Sequence, residues 1–257
     1  MSEYKRVNLG MYDLPETQHL NNAWWQGLSR HMDALGIEGL PAHLDRTVDE
    51  GEFWSSPDLL FSQTCGYPLA LSGHQTLTPV LTPHYDVPGC EGSHYLSYIV
   101  VHEDSHAHAL EDLRNAHLAV NSEQSNSGWR ALRLLLESTC DANAFVEHRS
   151  ISGGHRNSIE MVRLGQADYC SIDCVSFALL ARYAPNVVAG TRVLCHTPSS
   201  PGLPYVTSNR MDQSQLERLR EAVFNALEDP ELEEVREGLL IRGGEVIELD
   251  VYMQMAD

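Results

Sequence analysis

The segment "SISGGHRNSIEMVRLGQADYCSIDCVS" (150–176) shows the alternation of helix and strand most clearly. A serine and glycine turn precedes His155 and leads into a helix that we expect to begin near Asn157 and Ser158. A strand follows the helix and ends at Asp173, where a second helix begins. A helix placed between strands is typical of an α/β protein, whose ligands bind outside the carboxyl ends of the strands.

The segment "NSEQSNSGWRALRLLL" (121–136) has a similar arrangement. A strand is expected to end where this segment begins, and a polar loop then leads to a helix that opens near Ser127. Helix N-termini bind anions because their N–H groups are unpaired and carry partial positive charge. Ser125, Asn126 and Ser127 add neutral donors, and Gly128 lets the backbone approach a ligand closely. A plain helix cap is the alternative interpretation.

Strands and helices alternate along the whole chain. The expected strands cover 6–12, 94–103, 116–121, 191–197 and 203–208, with further strands opening the segments 57–71 and 169–183. The expected helices cover 16–36, 127–139, 158–168 and 212–229. This alternation predicts the α/β class with a mostly parallel sheet. It also places the loop at 121–128, His155 and Asp173 at the carboxyl ends of strands.

The composition excludes several classes of partner. The chain has 257 residues and a formal net charge of −19, which repels nucleic acid and anionic lipid. No apolar run reaches the ~20 residues that a membrane span needs, so no direct insertion is expected. The start "MSEYKRVNLGMYDLPET" (1–17) shows no signal peptide. This predicts a cytoplasmic location as written, or a periplasmic one if a leader has been removed.

The six cysteines are scattered and form no C-x-x-C pair. In a cytoplasmic chain of this size they are expected to be reduced thiols, many of them buried. Cys65, His155 and Asp173 are nominally a Cys-His-Asp set, so a thiol hydrolase is an alternative from another class. The acidic chain offers little to stabilise a thiolate, and no catalytic residue is assigned.

The run "HEDSH" (102–106) matches the H-E-x-x-H pattern of zinc metalloproteases. Two histidines at this spacing reach one metal only on a helix. Here the first histidine ends a β-branched strand, and Asp104 and Ser105 are residues that begin helices. We therefore expect a solvated loop and predict no metal and no cofactor. Adventitious metal binding by the histidines of 102–108 stays open.

Several segments together resemble one known family. They are "QTCGYPL" (63–69), "YLSYIVV" (95–101), "DLRNAHLAVN" (112–121), the serine and glycine loop at 125–128, the stretch at 152–175 and "SPGLPYVTS" (200–208). The pattern G-x-H-x-x-S-x-x-x-V-x-x-G-x-A-D, met from Gly153 to Asp168, is the most specific part. The chain resembles the PhnD-like solute-binding proteins of phosphonate, phosphite and phosphate ABC transporters.

The resemblance implies a type II periplasmic-binding fold, with two α/β lobes and a ligand cleft between them. Residues 125–128 would hold an oxyanion, His155 would donate to it, and Asp173 would accept from a protonated oxygen or an amino group. Tyr67 would lie at the cleft in lobe one, and Tyr12 and Ser97 at strand ends that face it. The chain would cross near Tyr98–Val101 and Leu194–Thr197, which gives lobe one as 1–97 plus 198–257 and lobe two as 98–197.

The implied function is that of a binding protein that closes by a hinge around phosphate, phosphite or a phosphonate. Its partner would be the membrane component of an ABC transporter. Asn126 stands where the family often has threonine, so the choice among the three anions stays open. A cytoplasmic ligand sensor is an alternative. So is a binder of a thiamine-precursor pyrimidine, for which Tyr12, Tyr67 and Tyr85 would supply aromatic stacking.

Overall fold

The chain folds as two units. The computed structural model describes residues 5–47, 50–137, 139 and 141–256. Unit one is Met1–Asp86 with Pro201–Asp257, and unit two is Val87–Ser200. The predicted boundaries between the lobes lie at 97/98 and 197/198. Residues 87–97 and 198–200 are therefore assigned to lobe one by the prediction but fall in unit two. The N–H of Cys174 donates to the carbonyl of Leu96 at 3.0 Å, which ties the first of these segments to unit two.

The elements follow in chain order. The strands are β1 (Arg6–Val7), β2 (Leu59–Gln63), β3 (Leu77–Tyr85), β4 (Cys90–Glu91), β5 (His94–Tyr95), β6 (Ser97–His102), β7 (Leu118–Val120), β8 (Arg149–Ile151), β9 (Tyr169–Asp173), β10 (Thr191–His196), β11 (Ser200–Pro201), β12 (Tyr205–Ser208) and β13 (Ile241–Glu245). The α-helices are α1 (Gln18–Ala34), α2 (Glu50–Trp54), α3 (Gly66–Leu71), α4 (Ala131–Leu136), α5 (Asn143–Val146), α6 (His155–Arg163), α7 (Cys174–Tyr183), α8 (Pro185–Val188), α9 (Gln213–Glu228), α10 (Glu233–Gly238) and α11 (Leu249–Met253).

Unit one contains a five-stranded sheet in the order β1-β2-β12-β3-β13. β1 and β2 are parallel, whereas β12 runs antiparallel to both β2 and β3. Every residue of β2 is buried, as expected for a strand that is covered on both faces. The predicted helices at 16–36 and 212–229 are confirmed as α1 and α9.

The core of unit one forms where α1 meets the sheet. α1 buries Trp24, Leu28 and Met32 at a spacing of four residues, which places them on one face. The indole Nε1 of Trp24 donates to the hydroxyl of Tyr205 on β12 at 3.0 Å. The helix ends before Gly36, whose φ of +74° is a left-handed conformation that glycine adopts without strain.

Unit two contains a five-stranded sheet in the order β10-β6-β9-β7-β8. β7 is parallel to both β8 and β9, so the carboxyl ends of β7 and β9 lie at the same edge. β6 runs antiparallel to β9 and β10. Leu118, Leu132, Phe145 and Tyr169 form part of the apolar core beneath this edge. The edge therefore brings the loop after β7 close to the start of α7.

The α/β class with mixed sheets is confirmed, but parallel pairing is less prevalent than we predicted. The reason lies in the strands near the points where the chain changes units. β6 and β10 run against their neighbours in unit two, and β12 does so in unit one.

Several predicted boundaries are wrong. The strand expected over 6–12 ends at Val7, and Gly10–Tyr12 forms a 3-10 helix. The turn expected at the end of 57–71 is the helix α3. The helix expected over 158–168 begins at His155, because the N–H of Ser158 already donates to the carbonyl of Gly154 at 3.0 Å.

Candidate ligand-binding site

Asp173 is fixed at the junction between β9 and α7. It is the N-cap of α7, and one carboxylate oxygen accepts from the N–H of Ser176 at 2.8 Å. The hydroxyl of Ser176 donates to the other carboxylate oxygen. Asp173 is only 3% exposed. The sequence folds this way because aspartate is a favoured cap residue after a strand that runs directly into a helix.

The loop after β7 ends in a turn that begins at Ser125. The hydroxyl of Ser125 accepts from the N–H of Gly128 at 3.0 Å, and its carbonyl accepts from the N–H of Arg130 at 3.1 Å. Asn126–Arg130 therefore forms a π-helical turn before α4, where we predicted a regular helix over 127–139. Such wide turns occur often at functional sites.

Gly128 is required in this turn for a steric reason. A Cβ atom built on it would lie 1.7 Å from Oδ1 of Asn121 and 3.4 Å from Oγ of Ser125. A real side chain cannot approach so closely. Asn121 follows β7 directly, so the glycine lets the turn fold back onto the end of the strand.

His155 connects the turn to Asp173. Its Nε2 lies 2.9 Å from Oγ of Ser127 and 3.5 Å from a carboxylate oxygen of Asp173. Burial lowers the pKa of His155, and the Asp173 carboxylate opposes this effect only in part. The imidazole is therefore neutral near pH 7 and, depending on its tautomer, donates to Ser127 or accepts from it. The structure brings these three predicted residues together.

Asn126 uses its amide differently from our prediction. Its Nδ2 donates to the hydroxyl of Tyr95 at 3.0 Å, whereas its Oδ1 is buried without a partner among the described residues. Tyr95 is thus a contributor that sequence analysis missed. The aromatic and β-branched run at 94–103 indicated a strand, and no signal in it marked the Tyr95 hydroxyl.

Ser97 lies beside Asp173. The two residues are register partners where β6 pairs with β9. The backbone N–H of Ser97 donates to Oγ1 of Thr197 at 2.9 Å. The Ser97 hydroxyl is buried and has no partner within the part of the chain that the structure describes.

The two predicted tyrosines of unit one lie in different surroundings. Tyr12 is in a 3-10 helix rather than at a strand end, and its ring meets the ring of Tyr85 edge-on at 5.2 Å. The hydroxyl of Tyr85 accepts from Nε2 of Gln63 at 3.1 Å. Tyr67 is on α3 and packs against a separate apolar cluster that includes Phe53.

The run at 102–106 does not form a helix. His102 ends β6, and the following loop is held by Arg192, whose guanidinium donates to the carbonyl of Ser105 at 2.9 Å and to the carbonyl of Ala107. This confirms that the two histidines of the motif are not on one helix. Over 5–47, 50–137, 139 and 141–256, no group of three or more His, Cys, Asp or Glu side chains is arranged to hold a metal ion.

The site in unit two combines donors and acceptors. The hydroxyls of Ser125 and Ser127 and the neutral imidazole are uncharged, whereas Asp173 accepts hydrogen bonds only. Such a set suits an oxyanion that still carries a proton, because the anion oxygens accept while its O–H donates.

In the described part of the chain, no helix is long and apolar enough to cross a membrane.

Three solved structures illustrate proteins with the same fold. PhnD1 from Prochlorococcus marinus, in complex with methylphosphonate, is 14% identical, with 98% of this chain and 95% of that chain covered and a TM-score of 0.77. PA3383 from Pseudomonas aeruginosa, a binding protein component of an ABC phosphonate transporter, is 15% identical, with 98% and 84% covered and a TM-score of 0.73. XAC2383 from Xanthomonas citri, bound to ATP, is 16% identical, with 99% and 97% covered and a TM-score of 0.72.

These similarities confirm the predicted periplasmic-binding fold. A comparison with curated proteins gives no match. Residues 56–252 match the family described as "ABC transporter, phosphonate, periplasmic substrate-binding protein". Because this match covers more than half of the chain, the chain belongs to the family of periplasmic substrate-binding proteins of phosphonate ABC transporters.

Proposed function

We propose that the chain binds phosphate, phosphite or a small phosphonate at the cluster of Ser125, Ser127, His155 and Asp173. The observation that carries this proposal is the contact chain from Ser127 through His155 to Asp173, in which an uncharged donor set lies beside a single buried carboxylate. The turn at Asn126–Arg130 and the start of α6 each present backbone N–H groups at a helix N-terminus. The partial positive charge at such an end stabilises anions.

The charge balance favours a partly protonated ligand. A chain with a formal net charge of −19 repels a dianion over long range. The carboxylate of Asp173 adds local repulsion unless the ligand presents a proton to it. A monoanion such as methylphosphonate with one O–H satisfies both Ser127 and Asp173. An aminophosphonate would satisfy Asp173 through its ammonium group.

The ligand that the Prochlorococcus marinus structure holds, methylphosphonate, fits this chemistry. ATP, which XAC2383 holds, presents several charges and a base. The buried residues Asn126, Ser127 and Asp173 offer a compact polar site, so we favour the small anion. The membrane component of an ABC transporter would then receive the ligand.

Ligand binding is proposed to close the two units by a hinge motion. The chain passes between the units twice, at Asp86/Val87 and at Ser200/Pro201. Hinges are formed by a few loop or element-terminal residues, and we propose that these two connections supply them. Small-angle scattering with and without saturating ligand measures closure as a smaller radius of gyration. An unchanged radius at saturation would remove the hinge from the proposal while leaving the binding site.

Calorimetric titration tests which ligand the protein binds. The protein is unfolded and refolded to strip bound ligand, then titrated with phosphate, phosphite, methylphosphonate and 2-aminoethylphosphonate, with a thiamine-precursor pyrimidine and zinc as separate titrants. One oxyanion should bind with one-to-one stoichiometry. Ser127→Ala and His155→Ala should each weaken it roughly 10- to 150-fold, the loss expected for a hydrogen bond to a charged group.

Two matched variants control this experiment. Ser122→Ala removes a hydroxyl from the same loop, where it accepts only from the N–H of Gln124 at 3.1 Å among the described contacts. His148→Ala removes an exposed histidine. Both should keep the affinity of the unmodified protein. Binding of the pyrimidine alone, or equal losses in the control variants, would contradict the proposal.

A further inference from the structure

A pair of cysteines lies directly beside the candidate site. Cys174 is the first residue of α7, follows Asp173 and is fully buried. Cys90 is on β4 and is partly exposed. Their Sγ atoms lie 3.5 Å apart, although the residues are 84 positions apart in sequence. All described cysteines are free thiols in this structure.

The backbone holds both cysteines in place. The N–H of Cys174 donates to the carbonyl of Leu96 at 3.0 Å, and Cys90 pairs with Tyr95 across the β4–β5 ladder. The two Sγ atoms, 3.5 Å apart, would have to approach each other by about 1.5 Å to reach the S–S bond length of about 2.05 Å.

We propose that Cys90 and Cys174 form a disulfide by exchange with a small-molecule disulfide such as oxidised glutathione. The thiolate of Cys90 attacks one sulfur of the reagent, which releases one molecule of reduced thiol and leaves a mixed disulfide on Cys90. The thiolate of Cys174 then attacks Sγ of Cys90 and releases the second reduced thiol. Two protein thiols lose their protons and are oxidised, and the reagent disulfide is reduced.

Cys90 reacts first and Cys174 second because the two residues differ in exposure. Cys90 is accessible to a reagent, whereas Cys174 is not. The hydrogen bond to Cys90 and burial both raise the pKa of the Cys174 thiol. Burial persists in the mixed disulfide and makes the second step slow. The periplasm, named in the description of the family, is an oxidising compartment in which disulfides persist.

The disulfide would act on the segment by which the chain enters unit two. Cys90 follows the start of this unit at Val87, and Cys174 follows the capping residue Asp173. Oxidation would fasten the entering segment to the N-terminus of α7. Because the closed loop is long, the cross-link should stabilise the folded state.

Oxidation of the folded protein tests the proposal. The full chain is incubated with oxidised glutathione, free thiols are counted after denaturation, and the linked peptides are mapped by mass spectrometry. The unmodified protein should lose two thiols and yield a Cys90–Cys174 peptide. Its melting temperature should rise by roughly 6–12 °C, and dithiothreitol should reverse the rise.

Three variants make the outcome specific. Cys195→Ser, at another half-buried thiol, should oxidise like the unmodified protein. Cys90→Ser and Cys174→Ser should form no internal disulfide, and Cys90→Ser carries the test alone if Cys174→Ser does not fold. A full thiol count after oxidation, a different pairing, or equal oxidation of Cys90→Ser would overturn the proposal.

Discussion

The cores of the two units differ in how their buried polar groups are paired. In unit one, the indole N–H of Trp24 reaches the hydroxyl of Tyr205 at 3.0 Å, and both side chains are almost completely buried. In unit two, Oγ of Ser97 and Oδ1 of Asn126 are buried without a partner in the described chain, although these residues are at most 1% exposed. An unpaired buried polar atom costs about 1–3 kcal/mol.

This difference distinguishes the core of unit one from the candidate site in unit two. Unit one also has unpaired nitrogen atoms, on His74 and Arg218, but these residues are partly exposed. Among the described residues, unit two has a comparable unpaired nitrogen atom on the partly exposed Arg163. Its unpaired oxygens, on Ser97, Asn121 and Asn126, instead lie in or beside the candidate site. A natural protein that leaves polar groups unsatisfied there retains them for a function, such as ligand binding.

Gly128→Ala should have the largest effect. The new Cβ would overlap Oδ1 and Cγ of Asn121, so either the Asn121 amide has to leave its position or the turn has to open. We expect a loss of about 3 kcal/mol or more in the free energy of unfolding, together with loss of oxyanion binding. Urea denaturation measures the first and calorimetry the second.

A second glycine provides the matched control. A Cβ on Gly154 meets no atom within 4 Å, and the φ of Gly154 is −176°, so Gly154→Ala should cost no more than about 1 kcal/mol. Replacing Asn121 by alanine in the Gly128→Ala background should restore at least half of the lost stability. If Gly128→Ala and Gly154→Ala are equally stable, the close approach at Asn121 is not what shapes the turn.

Tyr205→Phe tests the paired core of unit one. It leaves the indole N–H of Trp24 buried without its acceptor, so the free energy of unfolding should fall by about 1–3 kcal/mol. Oxyanion affinity should not change, because the predicted site residues that contact one another lie in unit two. Stability within about 0.5 kcal/mol of the unmodified protein would show that this pair contributes little.

His155→Gln tests the buried imidazole through its pH dependence. The folded state lowers the pKa of His155, so the unfolded chain takes up a proton at the ordinary pKa of about 6.5 while the folded protein does not. Stability should therefore fall as pH drops from about 7 toward 5. In His155→Gln, the change in the free energy of unfolding with pH should be smaller by up to about 1 kcal/mol per pH unit.

The control for the pH experiment is His148→Gln, at an exposed histidine. Denaturation midpoints measured at several pH values should show the slope of the unmodified protein in this control. A slope that is the same in His155→Gln and in the unmodified protein would mean that the folded state does not disfavour the protonated imidazole.

Much of unit two could be predicted from local sequence. The run from His155 to Asp173 specifies a helix and a strand by hydrophobic period and by the favoured cap at Asp173. These motifs also carry the resemblance to the family, which the match over residues 56–252 confirms. The family is one of substrate-binding proteins and not of enzymes. The Cys65 alternative is therefore removed.

The missed features depend on pairing between distant segments. β3 contains Pro79 and Pro83, which lower the expectation of a strand because proline cannot donate in a ladder. The strand nevertheless pairs with β12 on one side and with β13 on the other. These two neighbours form backbone hydrogen bonds with the residues of β3 that are not proline. Tyr95 contacts Asn126 across 31 residues of sequence, and no local pattern encodes such a contact.

Ser97→Ala should have the smallest effect, and the sign of that effect is the test. Removing a buried hydroxyl without a partner should raise the free energy of unfolding by about 0.5–1 kcal/mol. Oxyanion binding should weaken if the hydroxyl serves the ligand. The matched variant is Ser171→Ala, which removes a hydroxyl that donates to the carbonyl of Ser127 at 2.6 Å and should cost about 1 kcal/mol. The two serines lie on the adjacent strands β6 and β9. If the free energy of unfolding rises in Ser97→Ala and falls in Ser171→Ala, the buried hydroxyl is destabilising at the candidate site and stabilising beside it. Equal destabilisation would show that the Ser97 hydroxyl is satisfied in solution and would end the contrast between the two units.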